Sequence, residues 1–191
     1  MNCSNLDFNY TVSGDKVNCE TGILAIRSSL QNGMKLALID VDDTLRDTTK
    51  RRGLLPNERS VFMAPDDMKN RMYDDFNNKC YTDTLIMKNF ELLQSLEDCN
   101  YKIVLLTSCT YNEENRRVLI SQASAGGLDV SNLIVVMRGK ENHMDAVGLK
   151  EYFLETTNLE EFSDNILAID DNAKTCEMFY KKGIHTLHFL K

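Results

Sequence analysis

Short apolar runs alternate with amphipathic stretches from about residue 35 to the C-terminus. The runs cover 35–40, 102–107, 133–137, 165–170 and 185–190, and read as strands buried on both faces. Helix-period stretches lie between them over 83–98, 112–125, 145–156 and 173–182. In the first of these Leu85, Ile86, Phe90, Leu92, Leu93 and Leu96 form an apolar stripe, and in the second Val118, Leu119 and Ala123 do. Asp83 and Ser163-Asp164 read as start signals, and Gly126-Gly127 and Gly183 as stops. Strand and helix in strict alternation predict an α/β fold, a parallel sheet flanked by helices on both faces.

Two segments fall outside this rhythm. Residues 1–33 form an N-terminal extension, in which Leu6 to Val12 alternates, Ser13-Gly14-Asp15 turns and Lys16-Val17 returns, a hairpin pattern. A short helix is expected over 21–30, ended by Asn32-Gly33. The expected role of the extension is packing or contact between copies. Residues 46–82 interrupt the main domain, 34–191, with a long, charged, turn-rich excursion that includes Arg51-Arg52, Pro56, Arg59 and Pro65-Asp66-Asp67. A loop of that length beside a site usually has a task, so a small cap or lid after the first core strand is expected. The alternative is a solvated excursion.

Three of the runs end in groups suited to one site. Leu36-Ala37-Leu38-Ile39 stops in Asp40-Val41-Asp42-Asp43-Thr44. Carboxylates so crowded repel one another, and a hard cation such as Mg²⁺, which takes oxygen ligands, offsets the cost. Asp40 and Asp42 fall on one side of an extended chain, where one can attack or bind metal while the other exchanges protons. Ile103-Val104-Leu105-Leu106 ends in Thr107-Ser108, and a helix starting just beyond would complete an anion site. Ile166-Leu167-Ala168-Ile169 ends in Asp170-Asp171, which would complete an oxygen cage. Lys150 and Arg138 are the candidate cations for phosphate oxygens, Arg138 through its planar fork.

Composition narrows the setting. The chain has 191 residues, 42% hydrophobic and 27% charged, with a net charge of -7, so no global field draws it to nucleic acid. No stretch is long and apolar enough to span a membrane, and Met1 to Asp7 lacks the pattern of a secretory signal. The six cysteines (Cys3, Cys19, Cys80, Cys99, Cys109 and Cys176) show no zinc or C-x-x-C spacing, and reduced thiols in a cytoplasmic protein are expected. No histidine near Cys109 in sequence would activate it as a nucleophile.

Each piece alone has an ordinary reading: an acidic turn, a hydroxyl turn, a helix cap, a surface Arg138–Glu141 pair, a lysine on a solvated helix face. Together and in order, Asp40-Val41-Asp42-Asp43-Thr44, Thr107, Lys150 and Asp170-Asp171 resemble the four motifs of the haloacid dehalogenase (HAD) superfamily of phosphatases, over residues from about 35 to the C-terminus. The resemblance implies a Rossmann-like fold, Asp40 as a nucleophile that becomes an aspartyl phosphate, and Asp42 as general acid and base. It implies that Thr107 and Lys150 hold the phosphoryl group. It also implies Mg²⁺ held by Asp40, the backbone carbonyl of Asp42 and Asp170, supported by Asp171.

A narrower likeness is to the 3′-phosphatase domain of phage polynucleotide kinases. It rests on Tyr73-Asp74-Asp75-Phe76 through Cys80-Tyr81-Thr82-Asp83, then Val136-Met137-Arg138 through Asp145, then Lys150. Arg51 or Arg52 matches a basic residue in that subfamily's loop. It implies a nucleotide or a nucleic-acid 3′-end as substrate. Where that subfamily usually has Ser-Gly-Arg this chain has Thr107-Ser108-Cys109-Thr110, and no phosphate-binding G-x-x-x-x-G-K-[ST] loop occurs, so a phosphatase without a kinase is expected. The alternatives are a phosphatase of a sugar phosphate or similar metabolite, or a binding module that kept the fold without catalysis.

Overall fold

The structure is a computed structural model that describes residues 7–69 and 71–190. Its first elements are a hairpin, β1 (Phe8–Val12) and β2 (Asp15–Val17). The turn between them holds Ser13 and Gly14 at φ of 52° and 86°, the positive pair that a two-residue hairpin loop demands. Helix α1 (Cys19–Gln31) follows, its N-terminus capped by the Asn18 side chain, which accepts from the Thr21 amide at 2.8 Å.

The main domain then runs through β3 (Lys35–Ile39), β4 (Arg46–Asp47) and three short helices, α2 (Glu58–Met63), α3 (Asp66–Lys69) and α4 (Asp74–Asn78). It continues through β5 (Thr84–Leu85), α5 (Met87–Asp98), β6 (Tyr101–Thr110) and α6 (Glu113–Ala125). It finishes with β7 (Ile134–Arg138), α7 (Ala146–Thr157), β8 (Ile166–Asp170), α8 (Ala173–Lys181) and β9 (His185–His188).

Seven strands form one sheet in the order β2-β1-β7-β6-β3-β8-β9. From β7 to β9 it is parallel, as the alternation predicts. At the other end it is not: β1 lies antiparallel to β7, with Phe8 opposite Arg138 and Val12 opposite Ile134, and β2 is antiparallel to β1. The N-terminal segment is thus part of the sheet. The strands are apolar on both faces because both are covered. Leu36 and Leu38 of β3 join Val104 and Leu106 of β6 on the face of α1, α7 and α8. Ala37 and Ile39 join Ile103 and Leu105 on the face of α5 and α6.

The α1 face is tight. A Cβ on Gly22 would sit 2.3 Å from Cγ of Tyr10, itself fully buried. Gly22→Ala is therefore expected to destabilise the protein by about 1–3 kcal/mol despite the better helix propensity of alanine. A urea midpoint unchanged from the parent would show that Tyr10 yields.

Three expectations need correction. The helix expected from residue 83 begins at Met87, because Thr84 and Leu85 pair with Asp47 and Arg46 in a two-stranded antiparallel ribbon. That ribbon joins the two ends of segment 46–82. Ser163-Asp164 starts no helix and lies in a 3-10 segment, Leu159–Asn165, that leads into β8. Cys80, Cys99, Cys109 and Cys176 are free as expected, but Cys19 is disulfide-bonded. Cys3 lies outside the described residues.

Candidate active site

Strands β3 and β8 are neighbours and end at one level: Ile39 pairs with Ile169, and the Asp40 amide donates to the Ile169 carbonyl at 2.9 Å. This sets Asp40 beside Asp170 at the carboxyl edge of the sheet, where open α/β sheets bind ligands. The amide of Asn172 donates to Asp170 Oδ1 at 2.9 Å, and Asn172 in turn caps α8 by accepting from Lys174 and Thr175. Lys150 arrives from the second turn of α7, whose N-cap Asp145 accepts from the Gly148 amide at 2.7 Å. Its ammonium donates to Asp40 Oδ1 at 2.5 Å and to Asp170 Oδ2 at 2.6 Å.

Carboxylate oxygens of Asp40, Asp170 and Asp171 all lie within 4.8 Å of one another. One ammonium against three carboxylates leaves this floor net negative, and its donors are all oxygen, a set that fits a hard divalent cation such as Mg²⁺. Burial pushes the Asp40 carboxyl up to about 7, with Asp170 adding to the rise and Lys150 opposing it. Burial also opposes charge on Lys150, but Asp40 and Asp170 outweigh it, and the lysine stays a cation with a raised pKa.

Asp42 does not simply extend from Asp40 on one side of a straight strand. The chain turns there: the amides of Leu45 and Arg46 donate back to the Val41 carbonyl, and Asp43 holds a φ of 64°. An aspartate tolerates that left-handed position better than most residues, because its short side chain bonds locally. Here Asp43 Oδ1 accepts from both the amide and the hydroxyl of Thr48, at 3.1 and 2.7 Å. The turn delivers Asp42 to two arginines. Its Oδ1 accepts from Arg46 Nε at 2.7 Å and from Arg51 Nη2 at 2.6 Å. Burial alone would raise the Asp42 pKa, and the two guanidiniums overcome that and hold it below the usual carboxylate range.

The two arginines share a second carboxylate, Asp83, just after segment 46–82. Neither Arg46 nor Asp83 was a candidate from sequence. Arg46 gave no periodic signal, and an aspartate just ahead of an apolar helix reads as its cap.

A cavity of about 820 Å³ is lined by Asp40, Asp42, Ser108, Arg138, Lys150, Asp170 and Asp171. The sequence candidates therefore converge, with two differences. Thr107 and Ser108 do not cap β6. A bulge between Thr107 and Thr110 carries the strand on to Thr110, and α6 begins at Glu113, with Glu113 and Glu114 in its first turn. Two acidic residues there make that helix end unsuited to an anion. Thr107 is buried within the bulge, where its hydroxyl accepts from the Cys109 amide at 3.1 Å. Arg138 does not pair with Glu141. Its Nε donates to the Ser108 carbonyl at 2.8 Å and its Nη1 to the carbonyls of Asn142 and Met144, so much of its fork holds backbone. Cys109 is buried beside them, and burial pushes its thiol up to about 12, leaving it protonated and unreactive at neutral pH.

Segment 46–82 also lines the cavity, with Leu55, Val61, Phe62, Tyr73 and Phe76 beside the polar Glu58, Lys69 and Asn77, and Met144 joins them from the loop after β7. Phe62 is 82% exposed.

No protein-family model and no curated protein matches the chain. Solved structures do. A HAD family enzyme from Bacteroides thetaiotaomicron, in complex with magnesium, is 15% identical at a TM-score of 0.51, over 82% of this chain and 93% of that one. A haloacid dehalogenase-like hydrolase, SP0104, from Streptococcus pneumoniae is 13% identical at a TM-score of 0.53, over 82% and 85%. A chain of the Pnkp1/Rnl/Hen1 RNA repair complex is 18% identical at a TM-score of 0.52, over 82% of this chain and 42% of its own length. At these identities the likeness is one of architecture, and it meets the strand-end arrangement above: this chain has the haloacid dehalogenase fold.

Proposed function

We propose that the protein is a Mg²⁺-dependent phosphomonoesterase that works through an aspartyl phosphate on Asp40, with a nucleotide or a nucleic-acid 3′-phosphate as substrate. The observation that carries this reading is the meeting of Asp40, Lys150 and Asp170 at one sheet edge, with Asp42 lining the same cavity. Asp40 attacks phosphorus and the ester bond to the leaving oxygen breaks. Asp42 gives that oxygen a proton. Asp42 then takes a proton from water as the water oxygen attacks phosphorus and frees Asp40. Its depressed pKa leaves it ionised, the state in which it can accept that proton. Splitting the hydrolysis in two is what a carboxylate nucleophile provides. Lys150 holds the nucleophile in place and neutralises charge, with Ser108 and Arg138, which line the cavity, as further phosphate-side groups.

Mg²⁺ would be held by Asp40, Asp170, Asp171 and the Asp42 carbonyl, and when bound it lowers the repulsion between an anionic nucleophile and an anionic phosphate. A magnesium complex of a protein with this fold supports the choice of metal. EDTA is expected to stop hydrolysis of an aryl phosphate, and Mg²⁺ to restore it. No hydrolysis with any divalent metal would leave the binding-module reading standing.

The aromatic residues Phe62, Tyr73 and Phe76 lining the cavity support a leaving group with a planar face, and one relative of this fold belongs to an RNA repair complex. The net charge of -7 favours a small substrate or a strand end over a long duplex contact. A panel of 3′-phosphorylated oligonucleotides, nucleoside monophosphates and sugar phosphates decides among substrates. The highest kcat/KM on a sugar phosphate would overturn the nucleotide assignment. Phe62→Ala is expected to cost about 1–3 kcal/mol of binding to a nucleotide ester, read as a raised KM, and to leave a small alkyl phosphate unchanged.

A further inference from the structure

Asp83 belongs to neither the metal floor nor the phosphate-side groups, yet its side chain is fully buried (0% exposed), as are those of Arg46 (2%) and Arg51 (1%). We propose that Asp83 is a positioning residue for Asp42, acting through Arg46 and Arg51 so that one oxygen of Asp42 is held and the other is left facing the leaving group. The inference rests on the phosphomonoesterase reading.

The geometry is asymmetric in a telling way. Both guanidiniums reach Asp42 at the same atom, Oδ1, at 2.7 and 2.6 Å, and among the described residues no hydrogen bond falls on its Oδ2. Asp83 engages both arginines as well, Arg51 most closely. Arg51 Nε lies 2.9 Å from each of its oxygens, Arg51 Nη2 lies 2.7 Å from Oδ2, and Arg46 Nε lies 3.3 Å from Oδ2. The guanidiniums are held elsewhere as well. Arg51 donates to the Phe76 carbonyl at 3.1 Å and lies 3.9 Å from the Phe76 ring centroid, and Arg46 donates to Gln122 at 2.9 Å.

Two arginines and two aspartates make this buried cluster neutral. Without Asp83, two guanidiniums in a dry site would face Asp42 alone. Their unmet donors would draw its second oxygen into the clamp, since a buried donor left unpaired is costly. Asp42 would then still be present and still ionised, but turned from the cavity.

The consequence falls on one bond. In the first step the ester oxygen leaves with its electron pair and takes a proton from Asp42, and in the second Asp42 takes a proton from the attacking water. A sugar-type alkoxide needs that proton as it leaves, whereas p-nitrophenolate does not. A general acid contributes about 10²–10⁴ to such a step.

The experiment compares kcat/KM, which reports transfer to Asp40 and not the later hydrolysis, for a nucleoside 3′-phosphate and for p-nitrophenyl phosphate with Mg²⁺. Asp83→Asn is expected to lower the first about a hundredfold and the second less than about threefold. A parallel fall in both, as loosened structure would produce, or no fall in either, overturns the proposal. Should Asp83→Asn not fold, Asp83→Glu, which keeps the charge but moves it by one methylene, is read the same way. A fall of about tenfold on the alkyl ester alone is then expected, and an unchanged ratio overturns the proposal. If the parent protein hydrolyses neither ester, it is the phosphomonoesterase reading that falls, and this one with it.

Discussion

Asp40→Asn is expected to reduce phosphate release by at least about a thousandfold while leaving the fold intact. Asparagine matches aspartate in shape but has no anionic oxygen to attack phosphorus. It should not unfold the protein, because Lys150 keeps Asp170 as a partner at 2.6 Å. The stability effect has a defined sign. The folded-state pKa of Asp40, about 7, lies above its ordinary 3.8. As pH rises through that interval the unfolded chain gives up the proton first, so this group subtracts stability above it. A neutral asparagine removes that penalty, and the melting temperature of the metal-free variant at pH 8 should equal or exceed that of the parent. Phosphate release and a thermal melt on the same preparation check both halves. Activity retained by a folded variant would sink the aspartyl-phosphate mechanism.

Removing residues 1–33 is expected to abolish folding of the remainder. Phe8 and Tyr10 are fully buried and share a core with Ile23, Ile26 and Leu30 of α1 and with Leu149, Phe153 and Leu154 of α7. Phe8 stacks on Tyr152 with ring centroids 5.8 Å apart and meets Phe153 edge-on at 5.7 Å. Phe8→Ala alone should cost about 3–5 kcal/mol, and a domain has only about 5–15 kcal/mol in total. The same wall carries Lys150, which lies between Leu149 and the buried Phe153 on α7. Expression of 34–191 followed by urea unfolding is the check. A soluble fragment with a cooperative transition and the parent's Lys150-dependent activity would show the segment to be dispensable.

These outcomes separate what a linear pattern carries from what it does not. The strands that place Asp40 and Asp170 are readable because both faces are buried, so their apolar runs end where the carboxylates begin. Lys150 is readable because its helix has a capped, amphipathic start. The alternation of residues 8–12 reveals a strand, but nothing local says that it pairs with 134–138 in the opposite sense. The apolar run suggests a strand ending at 107, one bulge too early, since the pairing of β6 with β7, and not β6 itself, decides where the strand ends. The Arg46–Arg51–Asp42–Asp83 cluster depends on a ribbon of two residues per strand, too short to leave a period. Its aspartate mimics a helix cap, and tertiary pairing overrides the local preference.

The pairing of Phe8 with Arg138 also bears on how the molecule comes into being. Residues 8–12 cannot pair with β7 until residues 134–138 have been made. Until then β1 has only β2 beside it, and its other edge is free to meet other chains. Contacts so distant in sequence also slow the final step of folding. Refolding from urea should accordingly be slower and more concentration-sensitive than the sheet's parallel core alone would make it, and the last structure to form should be the pairing of β1 with β7.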